Sequence, residues 1–346
     1  MNVMKHVRVW TLLAAPAVLA FSLLMILSLQ IQAPTINRSS AAGNCFLDDE
    51  NQIVVRPEGP CTDLEAAINS VNTNNQATIY LDRGTYTISH PVKLNNQNIV
   101  IQGNQSEINT DIQIQMTSHL ELTNSVLTVS WVSVVGDSKT ALFNVIDNAK
   151  IKVLDSKLQN KNGTVLSSQL STEVLVENSY IGDSVTAISA DKTASVIVTN
   201  SQFVKNKDHI QATQSNVSLS KNLFVQSSNN GLSFIYPLET TIEETTIADT
   251  KKTALYIYGD IADTLTVNKT LFVQNGVAVD SSLRLTGNNN NFWKNDVDQT
   301  NEILSHSSQD PKTGIFYCLL KGSPMILGNE SFIGYPRFNS PLCTEE

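Results

Sequence analysis

Charge is what this sequence has least of. Only 16% of its 346 residues are charged, against about 25% in an average soluble chain. Arginine is nearly missing from the body of the chain: between Cys61 and Asp298 there are just Arg83 and Arg284. No Cys-x-x-Cys or His-x-His spacing occurs, so the usual ligand pattern of a metal site is absent. The net charge is −9. A chain so poor in basic residues has no face with which to neutralise phosphates, which argues against nucleic acid as a partner. It equally disfavours docking on an anionic membrane surface. Neutral polar residues fill the gap, and Asn alone is about one residue in ten. Disorder does not account for this, because 41% of the chain is hydrophobic and the apolar residues are regularly spaced.

The first 33 residues form an export segment. Lys5, His6 and Arg8 precede an uncharged run from Val9 to Leu29, long enough to cross a bilayer. Two fates stay open, a cleaved signal peptide or a retained anchor, and the latter is the one membrane contact expected. Either fate places the remainder in the periplasm, the cell envelope or the medium. Cys45, Cys61, Cys318 and Cys343 agree with an oxidising compartment and are read as disulfide partners, with three pairings open. Residues 34–60 are a linker or cap.

Internal repetition decides the fold. An apolar-x-apolar-x-Asn-Ser-x-apolar segment recurs from Ile99, Leu120, Ile151, Val174, Val196, Val217, Thr240, Leu265 and Leu283, at steps of 21, 31, 23, 22, 21, 23, 25 and 18. The step of 31 is assigned to an insertion around Trp131 to Lys139. A second apolar series runs through Val165, Ile188, Ile210, Leu232, Leu255 and Val277, at steps of 23, 22, 22, 23 and 22. A shared period near 22 is too short for a βαβ unit. It fits a coil of about three short strands, stacked on the next coil at about 4.8 Å. Asn124, Asp155, Asn178 and Asn200 share one turn position in this register. There, Asn can adopt the left-handed conformation and bond to its neighbour in the next coil. Thr62-Asp63-Leu64-Glu65 reads as a capping box opening a helix whose apolar face is Leu64, Ile68 and Val71. The non-repeating stretch 299–346 closes the other end.

The run CTDLEAAINSVNTNNQATIYLDRGTYTISHPVKLNNQNIVIQG, from Cys61 to Gly103, resembles the opening of right-handed parallel β-helix proteins of the pectate-lyase-like superfold. The resemblance extends to about Asp298. It implies an all-β, single-stranded right-handed parallel β-helix over 61–298, of about 8–10 coils, with an N-terminal capping helix and an irregular C-terminal cap. Members of that superfold mostly act on or bind long carbohydrate chains along a lateral groove. A polysaccharide partner is therefore what the resemblance implies. Asn109-Thr110-Asp111 matches the start of the hydrolase pattern but lacks the further Asp residues, and the scarcity of Arg leaves the Ca²⁺-dependent lyase pattern incomplete. No cofactor is called for, and a Ca²⁺ ion stays open.

In this register the outward face of the second series carries Tyr256 and Tyr258 on one coil, with Asp280 beside Tyr258 on the next. Lys252 and Asp260 flank the coil, and Lys207, Asp208 and His209 lie two coils back. A uronan lyase must neutralise a carboxylate, remove a proton and protonate the leaving oxygen. Tyr256, Lys252 and Tyr258 are the expected catalytic groups, and Asp280, Asp260, Lys207 and His209 the expected substrate contacts. The function this supports is lyase-type cleavage of an acidic or matrix polysaccharide by an exported protein. The alternative is a non-catalytic polysaccharide binder or an adhesin-like surface protein.

Overall fold

The computed structural model describes residues 45, 47–103, 112–192, 194–259, 264–300, 304 and 306–308. The expected export segment, Asn109-Thr110-Asp111, Asp260, Cys318 and Cys343 lie outside the described residues. Among those described, no helix is long and apolar enough to cross a membrane.

The chain forms a right-handed parallel β-solenoid of about ten turns. Among the described residues its strands fall into three parallel sheets of ten, eleven and ten strands, here called A, B and C in the order the chain visits them. One coil shows the pattern: Glu173–Glu177 lies in sheet A, Tyr180–Gly182 in B and Thr186–Asp191 in C, after which Ser195–Thr199 returns to A. Alternation places one set of side chains inside every coil. Ile99, Leu127, Ile151, Val174, Val196, Val217, Thr240 and Leu265 pair successively in sheet A, and all are buried. Sheet B contributes Ile114, Val134, Leu158, Ile181, Phe203, Phe224, Ile247, Phe272 and Phe292. Each is at most 2% exposed.

Three details of the expected register change. Leu127, not Leu120, is the sheet A member, because Leu120–Thr123 belongs to sheet C. The long step therefore does not mark an insertion at Trp131–Lys139; Ser133–Gly136 there is an ordinary sheet B strand. In sheet A, Leu285 rather than Leu283 follows Leu265, through the bridge between Thr266 and Thr286. In sheet C, Leu166 and Val279 replace Val165 and Val277 as partners of Ile188 and Leu255. The cause is the entrance to these strands, where two consecutive residues are buried, as in Val165-Leu166 and Ala278-Val279. Strict alternation fails at that corner.

The corners after sheet A are made by single residues in the left-handed region. After the sheet A strands come Trp131, Asp155, Asn178, Asn200, Lys221, Glu244 and Lys269, all with φ between 47° and 59°. Asn, which tolerates this region best, holds two of these places. The Asn200 amide donates to Asn178 Oδ1 at 2.9 Å, coil to coil. Asn124 does not join them; it turns from sheet C, bonding Asp147 O, as the corrected register requires. A more continuous ladder lies one residue further on, inside the fold. Ser156, Ser179, Ser201, Asn222 and Thr245 are buried, and each of the last four accepts a backbone N–H from the residue before it in this series. Asn222 also donates to Val198 O at 2.8 Å. Asn222→Ala leaves a buried donor and a buried acceptor without partners and should cost about 2–3 kcal/mol, measured as the shift of a urea denaturation midpoint.

The N-terminal end is covered as expected, with adjustments. Helix Leu64–Ser70 is capped by Asp63, whose side chain accepts from Ala66 N, rather than by Thr62. Glu65 consequently does not reach back to the cap; it accepts from Ser89 and His90. The stack begins earlier than Cys61, since Gln52–Val55 already pairs with Gln76–Leu81. The Cys45 and Cys61 sulfurs are bonded at 2.07 Å.

Candidate functional site

The expected cluster does not converge. Lys252 sits at the corner that enters strand Thr253–Tyr258, four residues before Tyr256. That is about 13 Å along an extended strand. Val279 is the partner of Leu255, so Asp280 lies beside Tyr256, not Tyr258. Its carboxylate accepts from Thr300 Oγ1 at 2.8 Å. Tyr256 is half-buried, while Tyr258 is 46% exposed and meets the Tyr236 ring edge-on at 5.7 Å.

His209 is the largest departure. It is not a surface ligand but a fully buried side chain. Its ring lies 6.2 Å from Phe203 and 5.7 Å from Phe224. It occupies the sheet C entrance where two consecutive residues lie inside, here His209-Ile210, as at Val165-Leu166 and Ala278-Val279. Nδ1 contacts the Asn206 amide at 3.1 Å and Nε2 has no hydrogen bond. Burial pushes the imidazole down to about 3, with the Val225 backbone opposing. A neutral, enclosed ring cannot meet a polymer. Asp208 is also buried and accepts from Asn229 and Asn230.

Lys207 does reach a site. A groove of about 830 Å³ crosses successive coils where sheet B turns toward sheet C. Met116, Val135, Gly136 and Val185 supply an apolar floor, and Asp137, Lys161, Asp183, Lys205 and Lys207 its charge. All five charged residues are exposed. Asp183 accepts from Gln159 Nε2 at 3.0 Å, and Asp137 from the Asn162 amide. Among the described residues none of the three lysines has an ion-pair partner. The backbone fixes these positions: Asp183 and Lys205 are left-handed corners, φ 49° and 54°, each ending a short sheet B strand. Their N–H groups bond Val204 O and Val225 O in the next coil.

Apart from Lys207, these residues escape a reading of outward positions within strands, because they stand at the corners between strands. The available signal was the residue directly after each recurring sheet B strand, where charge recurs. Among the described residues no group of three or more His, Cys, Asp or Glu is placed to hold a metal.

Comparison with known proteins gives a family match: the model of the right-handed beta helix region covers residues 141–319. No curated protein matches. Among solved structures, ORF18 of Geobacillus virus E2 is 13% identical, with 71% of this chain and 62% of that chain covered and a TM-score of 0.30. The chain thus spans less than two thirds of that relative. The A-module of the Azotobacter vinelandii mannuronan C-5 epimerase AlgE4 is 12% identical, with 67% and 80% covered and a TM-score of 0.30. A PL6 alginate lyase in complex with a trisaccharide is 10% identical, with 78% and 91% covered and a TM-score of 0.27.

Proposed function

Because the chain belongs to the right-handed β-helix family, we propose that it is an exported protein that holds an acidic polysaccharide along the groove lined by Lys161, Lys205 and Lys207. One observation carries this reading. In a chain of net charge −9, three exposed lysines, none with an ion-pair partner among the described residues, line one groove that crosses several coils. The apolar floor at Val135 and Val185 suits the C–H face of a sugar ring, and the flanking amides of Gln115 and Gln159 suit its hydroxyls. Extension across several coils suits a polymer rather than a small metabolite.

Binding of the full chain to a panel of uronans and neutral glycans tests the proposal. Acidic polymers should bind and weaken as salt rises, because exposed charges are screened. Lys205→Gln combined with Lys207→Gln should reduce affinity about tenfold or more and flatten the salt dependence. Gln already holds the equivalent corner at Gln226 and Gln274, so the fold should tolerate the change. Unaltered affinity in this variant would remove the groove from consideration.

The finer reading, lyase-type cleavage, is decided in the same experiment. Release of unsaturated, ultraviolet-absorbing ends from the bound polymer makes the protein an enzyme. Binding without release selects the non-catalytic binder, a role in which the protein would serve at a surface or in a matrix.

A further inference from the structure

Charge along the groove alternates with the coils. Four successive coils each place a charged residue directly after the sheet B strand: Asp137 after Ser133–Gly136, Lys161 after Lys157–Asn160, Asp183 after Tyr180–Gly182 and Lys205 after Gln202–Val204, the last coil adding Lys207 two residues on. All four line the same groove. Asp137 and Lys161 share one register row and Asp183 and Lys205 another, one residue apart, since Asn160 pairs with Gly136 while Gln159 pairs with Gly182; with coils at about 4.8 Å, charges of one sign therefore recur at about 10 Å. The alternation is not consumed inside the protein. Both carboxylates take their hydrogen bonds from neutral amides, those of Gln159 and Asn162. Neither Lys161 nor Lys205 is ion-paired among the described residues. Elsewhere the chain does form coil-to-coil ion pairs, Lys150 with Glu173 at 2.8 Å and Lys269 with Glu244 at 3.5 Å. Beyond Lys205 the pattern stops, at the neutral corner Gln226.

We propose that the groove selects a polysaccharide in which every second sugar is anionic, an alternating copolymer of a uronic acid and an uncharged sugar. A homopolymer with a carboxylate on each sugar is the disfavoured ligand. The inference rests on the acidic-polysaccharide reading above. An extended polysaccharide advances by about one coil spacing per sugar, so a disaccharide repeat brings its anions into step with Lys161 and Lys205. The uncharged sugars then lie over Asp137 and Asp183, whose free lone pairs accept from hydroxyl groups. A homopolyuronate instead sets every other carboxylate against Asp137 or Asp183, and like charges in apposition discriminate against the wrong partner.

The test compares length-matched oligosaccharides of hyaluronan, which alternates, and of polygalacturonate, which does not, titrated into the full chain at one low ionic strength. The alternating polymer should bind about tenfold or more tighter. Equal or tighter binding of polygalacturonate overturns the inference while leaving the acidic-polysaccharide reading intact; binding of neither overturns both. In the double variant Asp137→Asn/Asp183→Asn the preference should shrink to about threefold or less, through a gain for polygalacturonate. Asn suits the left-handed corner at 183, and circular dichroism confirms folding. A preference that survives undiminished in this variant also overturns the inference.

Discussion

Phe224→Ala should destabilise the protein by about 3–5 kcal/mol, among the largest single effects available to it. Phe224 is fully buried, and its ring lies 4.8 Å from Phe203 and 5.7 Å from His209. It stands in the sheet B ladder with Phe203 before it and Ile247 after it. A globular core partly collapses into such a void, which lowers the cost. Here the backbone above and below is held by parallel strand pairing, so neighbouring coils cannot close the gap. Phe224→Leu keeps most of the volume and should cost about 1–1.5 kcal/mol. Denaturant midpoints of the two variants measure the difference. A loss below about 1 kcal/mol for the alanine variant would show that the coil does relax.

Acid should destabilise the protein through His209. The ring is held down to about 3 by burial, against about 6.5 in an unfolded chain. The unfolded state therefore binds the proton first, and stability rises with pH wherever that state binds more protons. This contribution is fully present above about pH 6.5 and falls as pH drops toward 3. The slope approaches about 1.4 kcal/mol per pH unit, on the order of 5 kcal/mol across the whole window. Between pH 6.5 and 4.5 the native chain should lose about 2 kcal/mol that His209→Phe does not lose. Phenylalanine fits the surroundings, since Phe203 and Phe224 already flank the site. Parallel pH profiles of stability for the two proteins would refute the assignment.

How far the sequence could be read depended on whether a position repeats by chemistry or by geometry. The sheet A ladder from Ile151 to Leu265 was legible because apolar and polar residues alternate cleanly there. Leu120 and Leu283 misled because an apolar residue near the expected phase exists on a neighbouring strand or two places away. Sheet C was legible in period but not in phase, since Val165 and Leu166 are both inside. At Val277 the offset is two places, Val279 being the partner of Leu255, and this moved Asp280 from Tyr256 to Tyr258. His209 looked like an exposed turn because it follows Lys207-Asp208; it is inside because, as at Val165-Leu166, two consecutive residues are buried where the chain enters sheet C. The groove was legible in principle, as Asp183 and Lys205 each follow a recurring strand. Nothing in a linear pattern shows, however, that such corners face a concavity.

The interior Ser, Asn and Thr ladder has a mechanical consequence. Each rung, such as Asn222 between Ser201 and Thr245, ties one coil only to its immediate neighbours. The molecule therefore behaves as a chain of nearly independent links whose cohesion is local. Tension applied along the stack is borne in series, and the weakest junction alone sets where rupture starts. Tension applied across it loads the hydrogen bonds of many coils together. A polymer lying in the groove runs along the stack and bridges several links at once, so it would act as a splint on the direction in which the protein is easiest to pull apart.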